Sequence, residues 1–225
     1  MSVAGELSPK ILSDSSLSNW NAFFSSLALA EKAAAEQCHL ISKHYAREGN
    51  AALADEYAQL FEEETTHFQL ASAVCLEAVE ASNTAKAVYA GGLLSKNPSI
   101  LERMAVIHLV FEPAALAFLG YLYQESKSLF TDALLVKRIE RNFALILRDE
   151  VNHVNEGSKI VANLWAAAPA GEHRACLKSI RRHRAFLVAG LKSFFKDDPE
   201  ARVYLTPMLD RFESHYSRAV KGVAA

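Results

Sequence analysis

At 225 residues and 51% hydrophobic, the chain is long enough for one domain with a sizeable core. A formal net charge of -2 gives nucleic acid no bulk electrostatic reason to bind. Three scattered cysteines make neither a CxxC pair nor a disulfide framework, no signal peptide or charge-free apolar run of spanning length is visible, and a cytoplasmic setting is the simplest expectation.

Residues 1–18 read as a flexible leader, with Ser18 or Asn19 as the cap of a first helix from about Trp20 to Glu48. Its apolar stripe is Trp20, Phe24, Leu27, Ala34, Cys38, Ile41 and Tyr45. Gly49 and Asn50 stop it, and so short a turn returns the second helix antiparallel, over about Ala51 to Ala81. Residues 82–98, with Asn83, Gly91, Gly92, Asn97 and Pro98, read as a long connection. Such a link allows the next helix to run parallel to the last. Ser99 caps a third helix, about Ile100 to Ser126, apolar nearly all round and therefore deeply buried. Pro113 should kink it or open its hydrogen-bond ladder. Thr131 or Asp132 caps a fourth helix reaching about Ala167. Two more follow, a basic amphipathic one from about Glu172 to Phe195 and a last one to about Val220, kinked at Pro207. The expectation is an all-α fold: a four-helix bundle over 19–168 with a long crossover between its second and third helices, and a C-terminal helical extension, 169–225, packed on it.

Two stretches carry the chemistry. Glu64-Thr65-Thr66-His67 and Glu150-Val151-Asn152-His153 each set a Glu three residues before a His, so that carboxylate and imidazole share one helix face. Helical phase puts Glu64 and Glu150 central on apolar faces and both histidines at the edge, whereas Glu62 and Glu63 point mostly to solvent. Either pair alone is as readily a surface pair. Glu31 and Glu112 are further acids on apolar faces, and buried carboxylates need cations or protons as partners. An inward Glu from two helices and an inward Glu-x-x-His from the other two would hold two metal ions in a bundle core. Phase favours Glu31 over Glu36 on the first helix. Asp149 is expected to orient a metal-bound histidine, with Arg148 near it. His108, four residues before Glu112, reads as a core histidine rather than a seventh ligand.

With these residues in view the sequence resembles the ferritin-like di-iron carboxylate superfamily over about residues 20–165. Glu31 and Glu64 are 33 residues apart, the spacing of the rubrerythrin and bacterioferritin branches, and Asp149-Glu150-x-x-His153 looks like the fourth-helix motif of oxygen-activating members. The resemblance implies iron ligands Glu31, Glu64, His67, Glu112, Glu150 and His153, with support from Asp149. The short chain with extra C-terminal helices, and Phe111-Glu112-Pro113-Ala114-Ala115 through Tyr121-Leu122-Tyr123, is similar to aldehyde-deformylating oxygenase. Two departures stand out: Glu112 and Glu150 are 38 residues apart, longer than in these relatives, and Cys38 stands where several relatives carry Tyr.

The functional expectation is a non-haem di-iron oxygenase or oxidase that activates O2 and oxidises a small organic, apolar substrate. Phe24, Phe61, Phe68, Phe111, Phe118 and Tyr123 are candidates to line its pocket. Manganese in place of iron and a homodimer are left open. Without rubredoxin-like cysteine pairs, electrons come from an external donor. The competing readings are a rubrerythrin- or ferritin-like protein that removes peroxide or handles iron, and a non-catalytic binding module with a structural metal. The basic run Lys178, Arg181, Arg182, His183 and Arg184 reads as a solvated face, with an acidic carrier protein or a carboxylated substrate as the alternative.

Overall fold

A computed structural model of the chain describes residues 14–75, 97–199 and 201–224. These form six helices and, among the described residues, no strand: α1 (Asp14–Arg47), α2 (Ala51–Ser72), α3 (Ile100–Leu129), α4 (Ala133–Ala167), α5 (Ala170–Phe194) and α6 (Ala201–Ala224). The all-α expectation therefore holds. The whole expected stripe of α1, from Trp20 to Tyr45, is buried.

The helix ends follow local chemistry. Gly49, at φ 76°, supplies the left-handed residue that closes α1. Asn50 Oδ1 then accepts the Leu53 amide at 3.2 Å to start α2. Ser99 Oγ accepts the Glu102 amide at 3.1 Å, and Asp132 Oδ1 accepts those of Leu134 and Leu135 at 2.8 and 3.1 Å, as expected of caps. Two boundaries differ from the sequence reading. α1 begins at Asp14, before Ser18 and Asn19, because nothing between Asp14 and Trp20 breaks a helix already held by its apolar stripe. Residues 1–13 of the expected leader lie outside the described residues. α2 ends at Ser72 rather than near Ala81. Most of the expected 82–98 connection also lies outside the described residues.

Pairs of contacts fix the helix directions. Along α2 and α4, Leu70 meets Asn142 while Glu63 meets His153, so the two run antiparallel. Along α1 and α3, Phe23 meets Phe118 while Tyr45 meets Met104, again antiparallel. α1 and α2 are antiparallel through the Gly49 turn, so α2 and α3 run in the same direction. Tyr57 on α2 meets His108 on α3.

α3 is the central helix, flanked by α1, α4, α5 and α6. It is long and apolar enough to cross a membrane by length and composition, and 78% of its most apolar window is buried inside the protein. Its apolarity thus has a packing role. A π-helical turn at Ile107–Phe111 interrupts it, with the Glu112 amide bonded back to the Ile107 carbonyl. Pro113 has no N–H to give and its ring would crowd the carbonyl four residues earlier, and the π turn directly before it accommodates both demands. At one end of the bundle Trp20 packs within 6.0 Å, centroid to centroid, of Phe23, Phe24, Phe130, Phe195 and Tyr204. That cluster ties α1 to the ends of α3 and α5 and the start of α6.

Candidate metal centre

Glu64 and His67 of α2 face Glu150 and His153 of α4, all four buried. One donor atom from each lies within 4.8 Å of all the others. Ligand bonds of roughly 2.0–2.4 Å put opposite donors of one ion about 4–4.8 Å apart, so the group could hold a metal ion. His67 Nδ1 is 3.1 Å from Glu150 Oε1 and 3.6 Å from Glu64 Oε2. His153 Nδ1 is 3.1 Å from Glu64 Oε1 and 3.8 Å from Glu150 Oε1. Each histidine thus leans on the carboxylate of the other helix.

These contacts are close yet poorly aimed. Glu64 Oε2, both oxygens of Glu150, and the Nδ1 atoms of His67 and His153 are buried without a hydrogen-bond partner. Five orphaned polar atoms around one point would be costly in a protein interior unless a shared cation satisfies them. Carboxylate oxygen and imidazole nitrogen are the donor types that iron and manganese accept.

The outer nitrogens of both rings are engaged. His153 Nε2 lies 2.9 Å from Glu63 Oε2, and His67 Nε2 lies 3.5 Å from Asp149 Oδ2. Arg148 Nε donates to Asp149 at 2.9 Å, which helps hold that carboxyl below its usual range against the opposing effect of burial. An imidazole whose Nε2–H is committed to a carboxylate presents Nδ1 as the metal-binding lone pair. Asp149 lies beside the histidine of the opposite helix, His67. Glu63 does not point to solvent as read: it is half-buried against His153. The signal was present, because the acidic residue before each Glu-x-x-His is repeated in Glu63-Glu64 and Asp149-Glu150.

The electrostatics have the same centre. Burial alone would lower both imidazole pKa values, but the Glu64 and Glu150 carboxylates override it and hold His67 at about 12 and His153 at about 10. Burial raises Glu64 as well, and the two histidines reverse that to about 2. Glu150 rises to about 7 through burial and the charge of Glu64. In the metal-free protein, protons on the histidines supply the positive charge that the buried carboxylates require.

Glu31 and Glu112 are buried at the same place but outside the four-residue group. Burial, then the charges of Glu150 and Glu64, push Glu31 well above the carboxylate range. Glu36, its rival on α1, is exposed. Both Glu112 oxygens lie on His108 Nδ1, at 2.8 and 2.9 Å, and His108 Nε2 is 2.6 Å from the Tyr57 hydroxyl. Cys38 is buried nearby, its thiol pushed well up by burial and by Glu64, Glu112 and Glu150.

Glu31, Glu64, Glu112 and Glu150 also line one end of a cavity of about 440 Å³ between α1, α3 and α5. Its walls are otherwise apolar or small. From Glu31 to Ala22 it follows nine residue steps of α1, about 14 Å at 1.5 Å rise per residue. Phe23, Phe118 and Phe194 crowd its far end, with Phe23 to Phe194 at 5.9 Å. Of the six aromatic residues expected to line a pocket, Phe111 and Phe118 do so. Phe24 belongs to the Trp20 cluster, Phe61 and Phe68 are not in the cavity wall, and Tyr123 is exposed. A further wall comes instead from α5, through Phe186, Leu187, Gly190 and Leu191. The basic run on that helix is split: His183 is buried and its Nδ1–H donates to the Ser179 carbonyl, Arg184 pairs with Glu213 at 2.7 Å, and Lys178, Arg181 and Arg182 are exposed. No family model, no curated protein and no solved structure matches the chain.

Proposed function

We propose that the protein is a ferritin-like, non-haem di-iron oxidoreductase that uses O2 to oxidise a small apolar organic molecule. The observation that carries this reading is the meeting of two features at one point. The buried Glu64, His67, Glu150 and His153 converge with unsatisfied donor atoms, and an apolar cavity reaches the group at Glu64 and Glu150. Glu31 and Glu112, which line the same cavity, would complete the six ligands of a two-ion centre with Glu64, His67, Glu150 and His153. Two irons, when bound, would supply the electrons and coordination positions with which O2 is reduced.

The chain's own residues have separable tasks. Glu63 and Asp149 hold the two imidazoles in the tautomer that offers Nδ1. The Phe23, Phe111 and Phe118 walls bind the apolar part of a substrate and keep bulk water from the reacting end. The cavity favours an organic substrate over turnover of peroxide alone, which needs no such volume. Manganese remains compatible with the same donors. The test is anaerobic loading with ferrous iron, then O2 and an electron donor, with a screen of apolar compounds. About two irons per chain and an oxidised organic product are expected. Fast peroxide removal with no organic product across the screen would overturn the oxygenase reading in favour of a rubrerythrin-like one.

A further inference from the structure

We propose that His108 is the positioning residue that fixes Glu112 for the second metal position, so that the two ions have separable requirements. The inference rests on the two-ion reading above. The first position is built from Glu64, His67, Glu150 and His153, which converge without help from α3. Glu112 reaches the shared cavity end from α3, and its placement depends on a different set of contacts.

That set is closed and buried. His108 Nδ1 faces the Glu112 carboxylate, an acceptor, so Nδ1 carries the ring's hydrogen, and in that tautomer Nε2 accepts the O–H of the fully buried Tyr57 at 2.6 Å. The two Glu112 oxygens stand 2.8 and 2.9 Å from that Nδ1. The ring occupies the space beside α4 that a side chain at residue 157 would fill, and Gly157 leaves it open. A Cβ there would stand 2.0 Å from Nδ1 and 2.3 Å from Cγ. Tyr57 on α2, His108 on the π turn of α3 and Gly157 on α4 therefore act together on one carboxylate. A carboxylate bound on both oxygens by a single N–H still has lone pairs to offer, and a hydrogen bond to a ligating carboxylate orients it toward the metal. His108 is thus a core histidine whose role is directed at Glu112.

The test is a titration of the full-length metal-free protein with manganous or ferrous ion under anaerobic conditions, following both equivalents by calorimetry. His108→Ala removes the donor, Gly157→Ala displaces the ring while keeping it, and Tyr57→Phe removes its outer support. Thermal melts of each variant establish that it is folded. The wild type should take up two ions. In His108→Ala and Gly157→Ala the first ion should bind within about twofold of wild type and the second roughly 10–100-fold more weakly, with a smaller loss in Tyr57→Phe. Equal weakening of both ions would reduce His108 to a general structural role and overturn the inference. So would an unchanged second ion in variants that fold. Fewer than two ions in the wild type would instead sink the two-ion function itself, a separate and distinguishable failure.

Discussion

Glu63 on α2 faces the Nε2 of His153 on α4 at 2.9 Å, and Asp149 on α4 faces the Nε2 of His67 on α2 at 3.5 Å. Each helix thus orients the histidine of the other, and each orienting acid directly precedes the Glu of its own Glu-x-x-His. The two halves of the centre depend on each other through these crossed pairs.

Glu63→Gln should therefore behave as a site variant although Glu63 is no ligand. It exchanges a charged acceptor for a weaker neutral one at His153. Metal affinity should fall roughly 10-fold or more, within the 10–100-fold typical of such partners. Glu62→Gln, at an exposed neighbouring position, is the control and should leave affinity unchanged. A competitive titration against a chelator of known affinity measures both.

The two acids of α1 separate by substitution. Glu31 is buried at the cavity end, whereas Glu36 is exposed. Glu31→Ala should lose iron or activity, and Glu36→Ala should change neither. Iron counted after anaerobic reconstitution decides, and loss in Glu36→Ala alone would contradict the helix phase described above.

Metal-free protein should become less stable as pH rises through neutrality. His67 and His153 have folded values of about 12 and 10, raised above the ordinary 6.5. Their contribution is fully present below about 6.5 and is lost as pH rises toward those folded values. Glu150, raised to about 7, acts in the same direction between its ordinary 4.5 and 7. Glu64, lowered to about 2, contributes above 4.5 and loses that contribution only in strong acid. Thermal melts of the metal-free protein should thus show a falling Tm from pH 6 to pH 9. A metal ion replaces the histidine protons, so the Tm gain on adding it should be larger at pH 8 than at pH 6. A pH-independent gain would mean that binding displaces no protons.

Gly190 lines the cavity from near the C-terminal end of α5, and a Cβ added there meets no atom within 4 Å. Gly190→Leu should stabilise the helix by about 1 kcal/mol from backbone propensity. For a chain of this size that raises Tm by roughly 2–4 °C. The same side chain enters the cavity, so the longest apolar ligands should bind less well while short ones persist. Opposite signs for stability and for binding of long ligands, read by melting and by ligand titration, would place the substrate in this cavity.

Much of this arrangement was legible in the sequence, because it follows from periodicity and local chemistry. A 100° step per residue aligned Trp20, Phe24, Cys38 and Ile41, and with them Glu31 rather than Glu36, on the inward face of α1. The three-residue spacing of Glu64 with His67 and of Glu150 with His153 put each pair on one face before any packing was known. The Ser99 cap, and the Asp132 cap offered beside Thr131, were local too. What only the tertiary structure decided depends on distance between helices that the sequence does not encode by spacing. Glu63 sits at the border of its own helix face, so its partner became visible only when α4 lay beside α2. His108 could not be linked to Tyr57, or to the bare backbone at Gly157, until α2, α3 and α4 met. The cavity wall from Phe186 to Leu191 lies on a helix whose sequence reads first as basic and amphipathic, and it became a wall because α5 docks its apolar face against α1 and α3.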